Sequence, residues 1–215
     1  RHFGIGSWSP DGIYLAIDDG WEVSLLAVET GEETQLTQCA QWDPLGEAQC
    51  GFASWSPDGR WIAFWAAFPH SGEVDPRNGV YFLDTQCAPR VPSCWPSIRG
   101  PFALGPRFAW GPDGHMIAFG ASYLAAGEGI QFFDVTEWRI TRGLPYAFAT
   151  SDSPPISLAW SPDGRYIATA WGDVLNAATG EVVMSYEGNA DGRVQWIVVP
   201  PPPSLATPTA QPQGS

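Results

Sequence analysis

Four closely similar segments, apolar alternation around each of them, and the absence of any helical period predict an all-β chain. The predicted architecture is a β-propeller of four-stranded antiparallel blades, with four repeats visible, an arc that a larger ring would complete. The segments read W-S-P-D-G-I-Y-L-A at 8–16, W-S-P-D-G-R-W-I-A-F at 55–64, W-G-P-D-G-H-M-I-A-F at 110–119 and W-S-P-D-G-R-Y-I-A-T at 160–169. Their leading tryptophans, Trp8, Trp55, Trp110 and Trp160, stand 47, 55 and 50 residues apart, the span of one blade.

Each segment encodes a hairpin. Ser-Pro-Asp-Gly suits a type I turn, with proline presetting φ at the second position and glycine supplying the left-handed residue of a following bulge. The turn aspartates Asp11, Asp58, Asp113 and Asp163 are expected to bond their own turns, and the tryptophans to pack between blades. Copy 3 has Gly111 where the others have serine, which weakens its turn. Alternation places strands on either side, as in Phe52-Ala-Ser-Trp before the second turn and Trp61-Ile-Ala-Phe after it. A second strand pair follows in copy 1 (22–28 and 34–36) and more weakly in copy 4 (174–176 and 182–186), with single strands at 80–83 and 130–135. The blades are expected at about 3–38, 52–99, 108–142 and 156–187, followed by an extra strand at 193–199 with Trp196 in the tryptophan position. Residues 200–215, with six prolines and no charge, read as a disordered tail or linker.

The W-S-P-D-G-x-x-I-A-F unit resembles the repeat of TolB-like (WD-repeat-like) propellers, and the same unit occurs in the propellers of prolyl oligopeptidase-type hydrolases. The resemblance covers about residues 3 to 199. It implies a fold much more than a function.

Composition narrows the partners. The chain has 215 residues, 44% hydrophobic and 15% charged, and so folds around a core. All ten basic residues are arginine; with 23 acidic residues the net charge is −13. Without lysine there is no P-loop and no Schiff base. The negative field disfavours nucleic acid and anionic membranes, and no apolar run is long enough to insert into a bilayer. No signal peptide is visible, and a chain starting at Arg1 without an initiating methionine is expected to be a processed product or a piece of a longer one.

The cysteines fall in two local pairs, Cys39 with Cys50 and Cys87 with Cys94. No C-x₂₋₄-C spacing or nearby histidine suggests zinc. Two short disulfides, each worth about 2–3 kcal/mol, fit better, with free buried thiols as the alternative. Disulfides imply a secreted, periplasmic or cell-surface protein.

Blade geometry puts the Ser-Pro-Asp-Gly turns on one face and the irregular connections on the other. Binding residues are expected among those connections: Trp42, His70, Asp75, Arg77, Tyr123, Glu128 and Tyr146. Arg77 argues against a calcium site at Asp75–Gly79. No G-x-S-x-G occurs, the histidines are scattered, and no metal or cofactor is expected. The reading is a non-catalytic binding or scaffold module for a protein partner, with self-association to complete a ring. The alternatives are the propeller part of a serine hydrolase, and more remotely a glycosidase using a carboxylate pair.

Overall fold

The computed structural model describes residues 6–69, 75–87, 98–102, 104–105, 107–121, 129–146, 157–185 and 194–196. They form four antiparallel sheets of four strands, each in simple sequence order. Blade 1 holds β1 (Ser7–Trp8), β2 (Tyr14–Asp18), β3 (Val23–Ala27) and β4 (Glu33–Gln35). Blade 2 holds β5 (Gln49–Trp55), β6 (Trp61–Ala67), β7 (Gly79–Asp84) and β8 (Ile98–Phe102). Blade 3 holds β9 (Phe108–Trp110), β10 (Met116–Ala121), β11 (Gly129–Asp134) and β12 (Arg139–Leu144). Blade 4 holds β13 (Leu158–Trp160), β14 (Tyr166–Thr169), β15 (Asp173–Asn176) and β16 (Val182–Ser185). Blades 2 and 3 thus extend beyond the 52–99 and 108–142 expected, because their fourth strands carry no clean alternation. The extra strand expected at 193–199 is described only at 194–196, which is not a strand, and the 200–215 tail lies outside the described residues.

The repeated turn does what its residues dictate. Gly12, Gly59, Gly114 and Gly164 each donate their N–H to the carbonyl three residues back, at 2.9–3.0 Å, with φ between +72° and +74°. In copies 1, 2 and 4 the serine hydroxyl donates to the aspartate (Ser9–Asp11 2.6 Å, Ser56–Asp58 2.5 Å, Ser161–Asp163 2.7 Å). The same hydroxyl accepts the N–H of Tyr14, Trp61 or Tyr166 at 2.9 Å. At Gly111 the hydroxyl is missing, and the Met116 N–H reaches Asp113 at 3.3 Å instead. Restoring it with Gly111→Ser is expected to stabilise the chain by about 0.5–1.5 kcal/mol, read as a higher urea midpoint at unchanged slope.

The same carboxylates set an acid limit. The hydrogen bond from Ser161 foremost, then those from Arg165, pushes the Asp163 carboxyl down to about 2. Asp11 is lowered chiefly by Ser9, and Asp75 chiefly by Arg77. A lowered carboxylate pKa contributes stability above its unfolded value, and that stability is lost as pH falls through the folded one. Stability is therefore expected to decline from about pH 4 towards pH 2, measurable by thermal melts across that window. Asp18 opposes this: burial raises its pKa, so its charge costs stability above that window.

Three apolar seams join the blades. The set Tyr14, Ala16 and Leu25 of blade 1 packs on Ile62, Phe64 and Leu83 of blade 2. Its counterparts Trp61, Ala63 and Phe82 pack on Trp110, Ile117, Phe119 and Phe133 of blade 3. Met116, Ala118 and Phe132 pack in turn on Trp160, Leu158, Ile167 and Leu175 of blade 4. No such cluster joins blade 4 to blade 1 among the described residues. The motif tryptophans stitch the seams: Trp110 Nε1 donates to the Ser54 carbonyl at 3.3 Å, and Trp160 Nε1 to the Ala109 carbonyl at 3.2 Å. In each case the acceptor precedes the motif tryptophan of the blade before. Trp196 repeats the bond to Ala159 at 2.9 Å. Trp55 breaks the pattern: its backbone N–H donates to Ser7 Oγ at 3.1 Å, and its buried indole nitrogen has no hydrogen-bond partner among the described residues.

Trp138 and several arginines carry packing that the repeat alone does not foretell. Trp138 sits at φ +55°, in the turn position that Gly31 and Gly180 occupy in blades 1 and 4. That conformation costs about 1–3 kcal/mol for a non-glycine residue. Stacking on Phe102 (5.3 Å, 22°) and edge contacts with Trp61 and Phe82 offset it. Six of the arginines, too, lie on rings: Arg60 over Trp61, Arg77 over Phe68, Arg99 over Trp138, Arg107 over Phe52, Arg142 over Phe132 and Arg165 over Tyr166.

Candidate functional site

The connecting-loop side of blades 1 and 2 is built around a disulfide. Cys39 and Cys50, both buried, are bonded across 11 residues with Cα atoms 6.1 Å apart. Glu22, from the β2–β3 connection, holds the start of this loop. Its carboxylate accepts the Thr37 hydroxyl at 2.6 Å and the N–H groups of Cys39 at 2.8 Å and Ala40 at 3.3 Å. The loop then places Trp42 against Tyr81 (5.1 Å) and Phe64 (6.3 Å) of blade 2.

Arg77 rivets the loop to the β6–β7 connection. It donates through Nε and Nη2 to the buried Asp75 carboxylate at 3.0 and 2.7 Å, and through Nη1 to the Trp42 carbonyl at 3.1 Å. Its guanidinium lies 4.1 Å from the centre of the Phe68 ring, and its own carbonyl accepts the Tyr81 hydroxyl at 2.9 Å. Of the expected binding residues, the structure thus brings Trp42, Asp75 and Arg77 together. It joins them to one another as a clasp, so their polar atoms shape the surface through mutual bonds.

Tyr146 stands apart, packed in the seam of blades 3 and 4. Its hydroxyl donates to Asp173 at 2.5 Å, and burial first, then Asp173, pushes its pKa up to about 12. His70, Tyr123 and Glu128 lie outside the described residues. So does Cys94, and with it the expected Cys87–Cys94 pair.

Residues that sequence reasoning passed over lie in or close to the disulfide loop along the chain. Phe52, expected inside an alternating strand, sits at φ +57° in a bulge between Gly51 and Ser54 and is 47% exposed. Asp18 beside this bend is buried, and burial raises its carboxyl pKa against the pull of the nearby Ala53, Gly20 and Phe52 N–H groups. Arg107 of blade 3 approaches the outward-turned ring at 5.5 Å. Trp21, whose carbonyl accepts the Cys50 N–H at 3.0 Å, is 48% exposed, and Leu45, inside the disulfide loop, is 67% exposed. The only advance signal was negative: no partner in the alternation explains Trp21 or Leu45.

Four-stranded antiparallel blades stacked through apolar seams define a β-propeller. The fold is TolB-like. It is similar to TolB from Acinetobacter baumannii, with 18% identity, a TM-score of 0.55, and coverage of 84% of this chain and 42% of that one. It is similar to putative TolB from Agrobacterium tumefaciens, with 18% identity, a TM-score of 0.56, and coverage of 86% and 63%. A chain in a mitotic checkpoint complex gives 16% identity, a TM-score of 0.58, and coverage of 85% and 51%. The chain therefore spans about half the length of these propeller proteins, and at such identities the likeness is one of fold. No family model and no curated protein matches the sequence.

Proposed function

We propose that the chain is a non-catalytic propeller module that holds a protein partner on its connecting-loop side, outside the cytoplasm. The observation that carries this reading is the group of exposed apolar side chains Trp21, Leu45 and Phe52 around the disulfide loop. Aromatic anchors on a pre-ordered backbone lose little entropy on binding and tend to dominate interface energies. Here the disulfide, Glu22 and the Arg77 clasp supply the order. The carboxylates nearby serve structure: Asp75 is bound by Arg77, and Glu22 by backbone amides, which supports binding over catalysis. The disulfide supports an oxidising compartment. With a net charge of −13 the partner surface is expected to be basic or neutral, and association to slow as salt rises.

The test has two stages. Proteins captured by the wild-type chain from an extracytoplasmic fraction are purified and titrated against wild type and Trp21→Ala/Phe52→Ala. A partner whose affinity falls about ten-fold or more supports the reading. Failure to find a partner sensitive to both substitutions, or turnover of a model ester, peptide or glycoside by the chain, overturns it.

A further inference from the structure

Between the Ser-Pro-Asp-Gly turns of blades 1 and 2 opens a cleft of about 470 Å³, bordered by Pro10, Asp11, Tyr14, Trp55, Asp58 and Gln86. The two turns touch, since a Cβ on Gly59 would lie 3.7 Å from the Pro10 ring. None of Trp21, Leu45 or Phe52 borders the cleft, so what it binds is independent of the partner proposed above. Its volume falls in the range of small-ligand sites.

Both carboxylates are half used. Asp11 Oδ1 accepts the Ser9 hydroxyl at 2.6 Å and the Ile13 N–H at 3.0 Å, and Asp58 Oδ1 accepts the Ser56 hydroxyl at 2.5 Å and the Arg60 N–H at 3.0 Å. Oδ2 of each accepts nothing among the described residues. Blade 4 shows what that oxygen takes when the chain supplies it. Arg165 donates through Nε to Asp163 Oδ2 at 2.6 Å and rests its guanidinium 5.7 Å from the centre of the Tyr166 ring. The same positions in blade 1 are Asp11, Ile13 and Tyr14, so the acid and the ring are present and the cation is not. In blade 2 the matching Arg60 turns to Asp84 at 2.7 Å and leaves Asp58 Oδ2 open. A second, independent vacancy borders the same cleft. Trp110 and Trp160 donate their indole N–H groups across their seams, whereas the buried Trp55 indole N–H meets no acceptor among the described residues. An unmatched buried donor is costly, and a ligand that carries an acceptor beside its cation relieves that cost.

We propose that this cleft binds a guanidinium group, that of an arginine residue or of a small compound of the same chemistry, through Asp11, Asp58 and the Tyr14 ring. The group does for blade 1 what Arg165 does for blade 4. A planar guanidinium pairs with carboxylates through its fixed fork of donors and also lies on aromatic faces, which a compact ammonium does less well. The net charge of −13 draws cations towards the site, and salt weakens that attraction.

Nuclear magnetic resonance titration of the isotope-labelled chain with ethylguanidinium and with N-acetyl-arginine amide tests this, with butylammonium as the control. The signal followed is the Trp55 indole N–H, identified by its loss in Trp55→Phe. Both guanidinium probes are expected to shift it saturably, with a Kd of about 1 mM or tighter at low salt, and butylammonium to bind about five-fold more weakly. Asp11→Asn and Asp58→Asn keep the Oδ1 acceptor of the turn and remove the charge, and each is expected to weaken binding about five-fold or more. Ile13→Arg copies the blade 4 arrangement onto blade 1. Ile13 is 51% exposed, so the variant is expected to fold with an unchanged or higher thermal midpoint and to lose the probes about ten-fold or more. Tighter binding of N-acetyl-arginine amide than of ethylguanidinium identifies an arginine residue of a polypeptide as the source, and equal binding a free guanidinium compound. The proposal is overturned if neither guanidinium probe saturates below about 20 mM, or if butylammonium matches them. It is also overturned if the asparagine variants or Ile13→Arg bind as wild type does, which places the probe elsewhere on the acidic surface.

Discussion

Replacing Phe82 by alanine is expected to destabilise the chain by about 3–5 kcal/mol. Phe82 is fully buried where blade 2 meets blade 3. It stacks on Phe133 at 5.8 Å and meets Trp110, Trp138 and Phe102 edge-on at 6.0, 5.3 and 5.6 Å. Rigid rings on every side leave little room for collapse into the void, which places the cost high in the usual range. Because stacked repeats couple mainly to their neighbours, the loss should also separate the unfolding of blades 1–2 from that of blades 3–4. In urea, circular dichroism and tryptophan fluorescence should then report different midpoints. A single coincident transition, shifted by less than about 1 kcal/mol, would contradict the seam described for Phe82.

Removing the Cys39–Cys50 bridge is the second large effect. For a separation of 11 residues the loop-entropy argument gives about 3 kcal/mol. The double variant Cys39→Ser/Cys50→Ser isolates this bridge from any effect at Cys87 and Cys94. Its urea midpoint should fall accordingly. The loss should also reach Trp42, since the clasp between Arg77 and the Trp42 carbonyl presupposes a fixed loop. Near-ultraviolet circular dichroism of the Trp42–Tyr81 pair reports that loosening, and an unchanged spectrum in the folded variant would show that Glu22 and Arg77 suffice without the bridge.

The turns and inner strands were legible because Ser-Pro-Asp-Gly chemistry is local: every bond that shapes the hairpin lies within six consecutive residues. The bridge between Cys39 and Cys50 was legible for the same reason. The fourth strands of blades 2 and 3 were not. Ile98–Phe102 contains Gly100 and Pro101 and is largely exposed, and Arg139–Leu144 has one buried residue, so neither needs an apolar alternation to hold its place. Phe52 misled because a bulge between Gly51 and Ser54, which alternation does not encode, turns it outward at positive φ. The clasp was visible only as residue types: that Asp75 and Arg77 satisfy each other, and not a ligand, depends on Trp42 arriving from 35 residues away.

The arginines that lie on aromatic rings have a practical consequence. The chain has no lysine, so reagents or enzymes that modify lysine side chains find no target along these 215 residues. Trypsin is left with arginine alone, and six arginines rest their guanidinium groups on a neighbouring ring. Cleavage at those positions requires lifting the side chain from its ring and opening the strand or turn that carries it. The folded protein should therefore outlast its unfolded form in trypsin by a wide margin.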